Sequence, residues 1–301
     1  MVIAVEKRGE YAMKYFLGID GGGTKTEFLL AANNGEEIAH VIKGGCNPND
    51  IGVENTCKVL QNGVEEIAKN ISKKDLYIFA GVSGAGVAEN AERIRTALAK
   101  VYPNVKVASD LRNALETCLG GKDGLAVICG TGISCSILQN GVRKTVGGYG
   151  YMFEDGGSGY AYGRDAVKAV LRVEDGVGEE TVLTVYLREA LGESVHDALG
   201  KILRGGKSAV ASFCPLVFKG YALGDKVCVK IIERNLECTA ALVNDALLVG
   251  GSIKKVAFMG GVSKERLFRE YMKEKFGKEL ELSFCEEKPV VGALRLALQD
   301  K

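Results

Sequence analysis

The chain has 301 residues, 47% of them apolar, and 39 Lys and Arg against 38 Asp and Glu give a formal net charge of +1. That balance provides no basic field for nucleic acid or anionic lipid, and no apolar run approaches the ~20 residues of a membrane span. The length is enough to bury two cores, and so about two domains. The opening MVIAVEKRGEYAMKYF carries Glu6, Lys7, Arg8 and Glu10 where a signal peptide needs an apolar stretch, so a cytoplasmic protein is expected. Residues 1–13 read as a leader with no assigned function. Strands are expected at 15–20, 26–32 and 36–42. Between the first two lie Asp20 and three glycines, followed by Thr24, Lys25 and Thr26. Glycines let backbone N–H groups close on a phosphate, to which the hydroxyls and the ammonium add donors; the alternative is a merely flexible turn. Asn33-Asn34-Gly35 then signals a hairpin. With a strand rather than a helix after the glycines, the dinucleotide fingerprint does not fit, and GxxxxGK[ST] is absent.

A helix is expected at 50–70, where Val53, Cys57, Leu60, Val64, Ile67 and Ala68 form a core stripe. A strand at 76–82, a helix at 88–100, a strand at 105–109 and a helix from Asp110 to about Leu119 follow. No Pro/Ser-rich linker divides the chain, and Gly120-Gly121 is the expected crossover. Residues 125–149, LAVICGTGISCSILQNGVRKTVGGY, then repeat the layout of residues 15–44: strand, Gly/Thr turn, strand, Asn-Gly turn, strand. Two equivalent phosphate-gripping hairpins describe a cleft in which two domains hold a nucleotide. The remainder reads as mostly helical from 157 to 247, a strand at 255–259, and helices at 264–276 and 290–298.

Nine cysteines with no CxxC pair, mostly inside apolar runs, read as reduced, buried small hydrophobes. With only His40 and His196 as imidazoles, zinc lacks ligands, and metal chemistry falls to carboxylates, phosphate oxygens and water, which suits Mg²⁺.

Ordered motifs carry more than any single one: DGGGTKTE at 20–27, GGCNPNDIG at 44–52, GVSGAG at 81–86, SDLRNAL at 109–115, ICGTGISC at 128–135, GGYGYMFEDGGSGYAYGRDA at 147–166, FMGGVSK at 258–264 and PVVGALRLAL at 289–298. On these the chain, from Tyr15 to about Leu298, resembles the N-acetylglucosamine kinase-like and BadF/BadG/BcrA/BcrD ATPase family of the actin-like ATPase and sugar-kinase superfamily. The resemblance implies an α/β fold of two actin-like (ribonuclease H-like) domains with an interdomain nucleotide and sugar cleft. The domains would be 14–119, joined by a C-terminal helix at 289–301, and 120–288. It also implies an ATP- and Mg²⁺-dependent kinase acting on the 6-hydroxyl of an amino sugar, N-acetylglucosamine and/or N-acetylmuramate, with glucosamine and glucose within reach, and a homodimer.

The residues divide accordingly. Asp110 follows the strand VKVAS and opens a helix, so its carboxylate stands where ligands collect in open α/β sheets; it is the candidate general base, and capping that helix is the alternative. Asp20 would by resemblance order Mg²⁺ through water; a turn-initiating Asp is the alternative. Gly22, Gly23, Thr24 and Lys25 of the first hairpin, and Thr131 and Gly132 of the second, would meet phosphate oxygens. Gly260, Gly261 and Glu265 would take the adenosine, and Ala211 would line the adenine pocket, with ordinary helix packing as its alternative. For the sugar, the resemblance points to Asn47, Pro48, Ser83, Gly84, Gly148, Tyr149, Gly150 and Asp155. Turn chemistry is the alternative for Asn47, Ser83 and Gly84, and capping of the helix near Ser158 for Asp155. The chain departs from the animal enzymes in carrying Tyr149 where they have Trp, and Pro48 where they have His, which leaves the hexose open. Two competitors are an iron–sulfur ATPase that activates a 2-hydroxyacyl-CoA dehydratase, needing exposed cysteines, and a sugar-sensing repressor, which lacks its helix-turn-helix here.

Overall fold

The computed structural model describes residues 13–87 and 89–299, so the leader read at the start lies, apart from Met13, outside the described residues. The first part of the chain forms β1 (Tyr15–Gly21), β2 (Lys25–Ala32), β3 (Glu37–Gly44), α1 (Pro48–Ile67), β4 (Leu76–Val82), α2 (Asn90–Ala99), β5 (Asn104–Ala108) and α3 (Leu111–Leu119). There follow β6 (Gly124–Cys129), β7 (Ile133–Gln139), β8 (Val142–Gly147), α4 (Gly159–Glu174), α5 (Leu183–Leu191), α6 (Val195–Ala211), α7 (Cys214–Ala222) and α8 (Lys226–Gly250). The chain closes with β9 (Lys255–Met259), a 3₁₀ turn at Val262–Lys264, α9 (Arg266–Phe276), β10 (Glu281–Phe284) and α10 (Pro289–Leu298). No helix among the described residues is long and apolar enough to cross a membrane.

The described residues up to Glu116, with those from Lys288, form one compact unit, and Thr117–Glu287 forms the other. The division falls inside α3, just ahead of Gly120-Gly121. In the first unit the strand order is β3-β2-β1-β4-β5. β1 runs antiparallel to β2 and parallel to β4, so it lies at the centre and its run of apolar residues is buried on both faces. Leu17, Ile19, Phe28 and Leu30 pack with α1 and α2 residues such as Leu60 and Ile94 on one face, and Phe16, Leu29 and Phe79 pack with Val290, Ala293 and Leu294 of α10 on the other. A Cβ on Gly18 would overlap the α10 backbone at Leu294, so the glycine sets how closely α10 lies on the sheet.

The second unit repeats the plan with strand order β10-β9-β6-β7-β8: three antiparallel strands from consecutive hairpins, then parallel β9 and β10. The hairpin repeat legible in the sequence is therefore the opening of each sheet. The four residues of β10, ELSF, are an addition to the sequence reading; they pair in parallel with β9, and Phe284 stacks on Phe258 at 5.4 Å between ring centroids. So short a run carries no periodic signal of its own. The helix expected from residue 50 begins at Pro48, which suits the first helical position, with Asn47 as its N-cap. It is interrupted at Gly52, whose φ of 78° separates two helical pieces. One cysteine expectation is corrected: Cys118, Cys238 and Cys285 keep partial solvent access, while the other six are buried.

Candidate active site

In the first unit, the ends of β1, β4 and β5 bring two carboxylates near each other. Asp20 is the penultimate residue of β1, and Asp110 follows β5 immediately before α3. Asp110 takes a hydrogen bond from the Ser109 hydroxyl at 3.1 Å, and further ones from the Leu111 N–H and the Ser83 hydroxyl, while its own N–H donates to the Val82 carbonyl at 3.3 Å. The helix-capping alternative is thus partly realised, since the same carboxylate meets the first N–H of α3. Burial raises the Asp110 carboxyl above the ordinary carboxylate range, against those hydrogen bonds. Asp20 is pushed up to about 7, chiefly by burial and then by the charges of Asp110 and Glu27, although Asn113 Nδ2 donates to its Oδ1 at 2.8 Å. Asn113 is a site residue that the sequence reading missed. It stands one helical turn after Asp110, and that spacing was the available signal.

The loops before α1 and after β4 meet beside these carboxylates. Asn47 is nearly buried, and its Oδ1 accepts the Asn49 N–H at 2.9 Å, which is ordinary capping. It also lies against Gly84: with φ of 78° and a Cβ position that would overlap Asn47 Oδ1, only glycine fits there. Asn90 ties the two loops, donating to Asn49 Oδ1 at 3.2 Å and to the Gly84 carbonyl at 3.1 Å. The structure therefore gathers Asn47, Pro48, Ser83, Gly84, Asp20 and Asp110 within one unit. In the β1–β2 turn, Gly22 donates to the Lys25 carbonyl at 2.9 Å and accepts from Cys46 at 2.9 Å, leaving Gly23, Thr24 and Lys25 exposed. The Lys25 ammonium, read as a point charge for phosphate, is ion-paired with Glu27. Glu27 is almost buried and also meets His40 at 3.1 Å and Lys288 at 3.2 Å. Burial would raise its carboxyl, but the hydrogen bonds from Lys25, Lys288 and His40 hold it below the usual range.

In the second unit, a cavity of about 350 Å³ is lined by Gly130, Thr131, Gly159, Ala211, Cys214, Pro215, Gly261, Val262 and Glu265. Four residues expected at the nucleotide, Thr131, Ala211, Gly261 and Glu265, thus come together from three separate stretches of chain. The turn is held by α4, whose Gly159 and Tyr160 N–H groups donate to the Gly130 and Thr131 carbonyls at 2.7 and 3.1 Å. Ala211 reaches the cavity because α6 breaks at Gly206 and its final turn lies against α4, the Val210 carbonyl on Gly163. Glu265 is half-buried, and burial raises its carboxyl. Gly260 does not line the cavity: its φ is 106° and it packs on the Cys129 backbone. Gly132 is likewise outside the lining and faces Glu154, whose Oε1 lies 3.5 Å from the Ile133 N–H and whose carboxyl burial raises. Cys214, Pro215 and Glu154 were missed, and no local pattern marks them.

The segment between β8 and α4 holds the other sugar candidates. Gly148, Tyr149, Gly150 and Asp155 are exposed, Tyr149 at 73%. Asp155 does not cap α4; Ser158 does, accepting the Ala161 N–H at 3.1 Å. The end of this segment is fixed by Asn235, which accepts the Gly157 N–H at 2.8 Å and donates to Asp165 at 3.1 Å.

The family profile described as the BadF/BadG/BcrA/BcrD ATPase family matches residues 17–297. An N-acetylmuramic acid/N-acetylglucosamine kinase of Clostridium acetobutylicum is 30% identical over 285 residues, 90% of this chain and 92% of that one. An N-acetyl-D-glucosamine kinase of Dictyostelium discoideum is 27% identical over 319 residues, covering 95% and 98%. Among solved structures, a Chromobacterium violaceum protein assigned as an N-acetylglucosamine kinase superposes with a TM-score of 0.82 at 24% identity, over 95% of this chain and 99% of that one, a likeness of fold.

Proposed function

Because the chain belongs to the BadF/BadG/BcrA/BcrD ATPase family, we propose that it is an ATP-dependent kinase for the 6-hydroxyl of an amino sugar, N-acetylglucosamine and/or N-acetylmuramate. The observation that carries this reading is the pair Asp20 and Asp110, desolvated together beside the loops of Asn47 and Ser83. The curated relatives named as kinases of these sugars support it. A homodimer in the cytoplasm completes the proposal. The iron–sulfur alternative has less support, since the curated relatives are named as amino-sugar kinases and Cys129 and Cys135, beside the second hairpin turn, are wholly buried.

Asp110 is the proton acceptor for the sugar hydroxyl, held in place by the Ser83 and Ser109 hydroxyls. Burial raises its carboxyl, which makes it a stronger base than an ordinary aspartate. Asn47, Pro48, Ser83 and Gly84 contact the hexose, and Gly148, Tyr149, Gly150 and Asp155 its acetamido side. Thr131 and Gly132, with Gly22, Gly23, Thr24 and Lys25, face the phosphates. Ala211, Gly260 and Gly261 shape the adenosine pocket, with Gly260 acting through the backbone it supports, and Glu265 accepts from the ribose. The Asp20 site fits a hard divalent cation: a desolvated carboxylate opposed by a second one lacks positive charge, and oxygen donors suit Mg²⁺. When bound there with phosphate oxygens and water, Mg²⁺ would offset charge on the transferring phosphoryl.

ADP release from MgATP with glucose, glucosamine, N-acetylglucosamine, N-acetylmuramate or no sugar tests the reading. Turnover that depends on an amino sugar is expected; equal turnover with and without every sugar would overturn it. The nucleotide assignment has its own check. Ala211→Phe projects a ring into the 350 Å³ cavity and should raise the KM for ATP about tenfold or more, the effect of ~1.4 kcal/mol, with the sugar KM unchanged.

A further inference from the structure

The chain passes between its two compact units twice, at Glu116–Thr117 and at Glu287–Lys288. A cysteine stands within three residues of each passage, Cys118 in the last turn of α3 and Cys285 directly after β10. Backbone register draws them together. Phe284 lies opposite Phe258 in the parallel β9–β10 pair, and the Cys285 N–H donates to the Phe258 carbonyl at 2.8 Å, which sets Cys285 beside Met259. Cys118 reaches the same Met259 from the helix, its Sγ 3.6 Å from the Met259 Sδ. The two thiols are hydrogen-bonded to each other, and both keep partial solvent access, unlike the six buried cysteines.

We propose that Cys118 and Cys285 are a reversible redox modification site, closed to an intramolecular disulfide by a low-molecular-weight disulfide such as glutathione disulfide. Cys285, as thiolate, attacks one sulfur of the oxidant, forming a mixed disulfide and expelling one glutathione thiolate. Cys118 then gives up its proton and attacks the Cys285 sulfur, expelling the second glutathione. The protein loses two electrons, glutathione disulfide gains them, and the two thiol protons end on the released glutathione. The order of attack follows from placement: Cys285 follows β10 outside any helix or strand, while Cys118 sits in the last turn of α3 with its Sγ against Met259, so Cys118 is the resolving partner. The segment after Cys285 is already pinned at Glu286 by Arg269, and at Lys288 by Glu27 at 3.2 Å. The new bond would tie the two passages together and close a ring holding nearly all of the second unit.

The intact protein, equilibrated in glutathione buffers from fully reduced to fully oxidised and alkylated, is mapped by non-reducing peptide mass spectrometry, and its unfolding midpoint is followed. A linked Cys118–Cys285 peptide is expected, reversed by dithiothreitol, with the unfolding midpoint up by about 5 °C on oxidation, as closing a long loop predicts. Cys118→Ser and Cys285→Ser should each lose both the linkage and the shift. Glutathione persisting on one cysteine without linkage, linkage to any other cysteine, or a midpoint shift retained in both serine variants would overturn the proposal. Because the map reads the wild-type chain directly, the test stands even if a variant folds poorly, and it does not depend on the sugar.

Discussion

Asp110→Asn should lower kcat for sugar phosphorylation about 10³-fold while changing the sugar dissociation constant by less than about threefold. The amide keeps the shape of the carboxylate and can still meet the Ser83 and Ser109 hydroxyls, so the acceptor loops retain their order. What disappears is the ability to take the hydroxyl proton as the phosphoryl group arrives. The pH profile separates this from simple mispositioning. Burial holds the Asp110 carboxyl above the usual carboxylate range, so the acid limb of kcat/KM in the wild type should fall at a higher pH than an exposed aspartate near 4 would give. In the variant the Asp110 part of that limb should disappear, leaving only what Asp20 contributes. Steady-state ADP release across pH 4 to 8, with calorimetric sugar titration, makes the measurement. A kcat within a few-fold of wild type would remove Asp110 from the chemistry and leave it as the partner of the first N–H of α3.

Much of this arrangement is legible in the chain because its parts are local. Asp20 before three glycines, the hairpin signal at Asn33-Asn34-Gly35 and its echo at Asn140-Gly141 each depend on neighbours in sequence, and they mark the three-stranded opening of both sheets. Thr131, Gly261 and Glu265 follow strand ends, where a backbone turn announces a ligand site. The residues that stayed hidden act across long sequence separations. Glu154 meets the second hairpin through the Ile133 N–H, 21 positions away. Cys214 and Pro215 enter the cavity only because α6 ends where Gly163 allows it to approach α4. Lys25 reads as a phosphate charge because its sequence neighbours are turn residues, and its ion-pair partner Glu27 is two positions along the same strand and so on the same face. That spacing was visible, but not the burial that makes Glu27 gather Lys25, His40 and Lys288. The Cys118–Cys285 pair is the extreme case, two thiols with nothing in common locally, joined by the register of a four-residue strand.

Asp20→Asn should make the ligand-free protein more stable at pH 8 and inactive at the same time. The folded-state carboxyl of Asp20 is pushed up to about 7, chiefly by burial, from an unfolded value of 3.8. A group raised in this direction supports folding fully below about pH 4, and that support is lost as pH rises through 7, because the folded state must then hold an ionised carboxylate with little solvation. Three pKa units correspond to roughly 4 kcal/mol, so a difference of about 3 kcal/mol is expected once local relaxation is allowed. Urea unfolding at pH 5 and pH 8 makes the comparison: the wild type should weaken between the two by more than the variant does. Asn113 can donate to the amide oxygen as it does to Oδ1, so the substitution need not cost a hydrogen bond. Adding MgATP at pH 8 should then stabilise the wild type more than the variant, since positive charge beside Asp20 reverses the cost of ionisation. Equal pH dependence in the two proteins would mean that Asp20 is solvated in solution, and the case for a cation beside it would fall with that result. Stability regained only when the carboxylate is removed or matched by a cation is what a site organised around charge transfer, rather than around packing, should display.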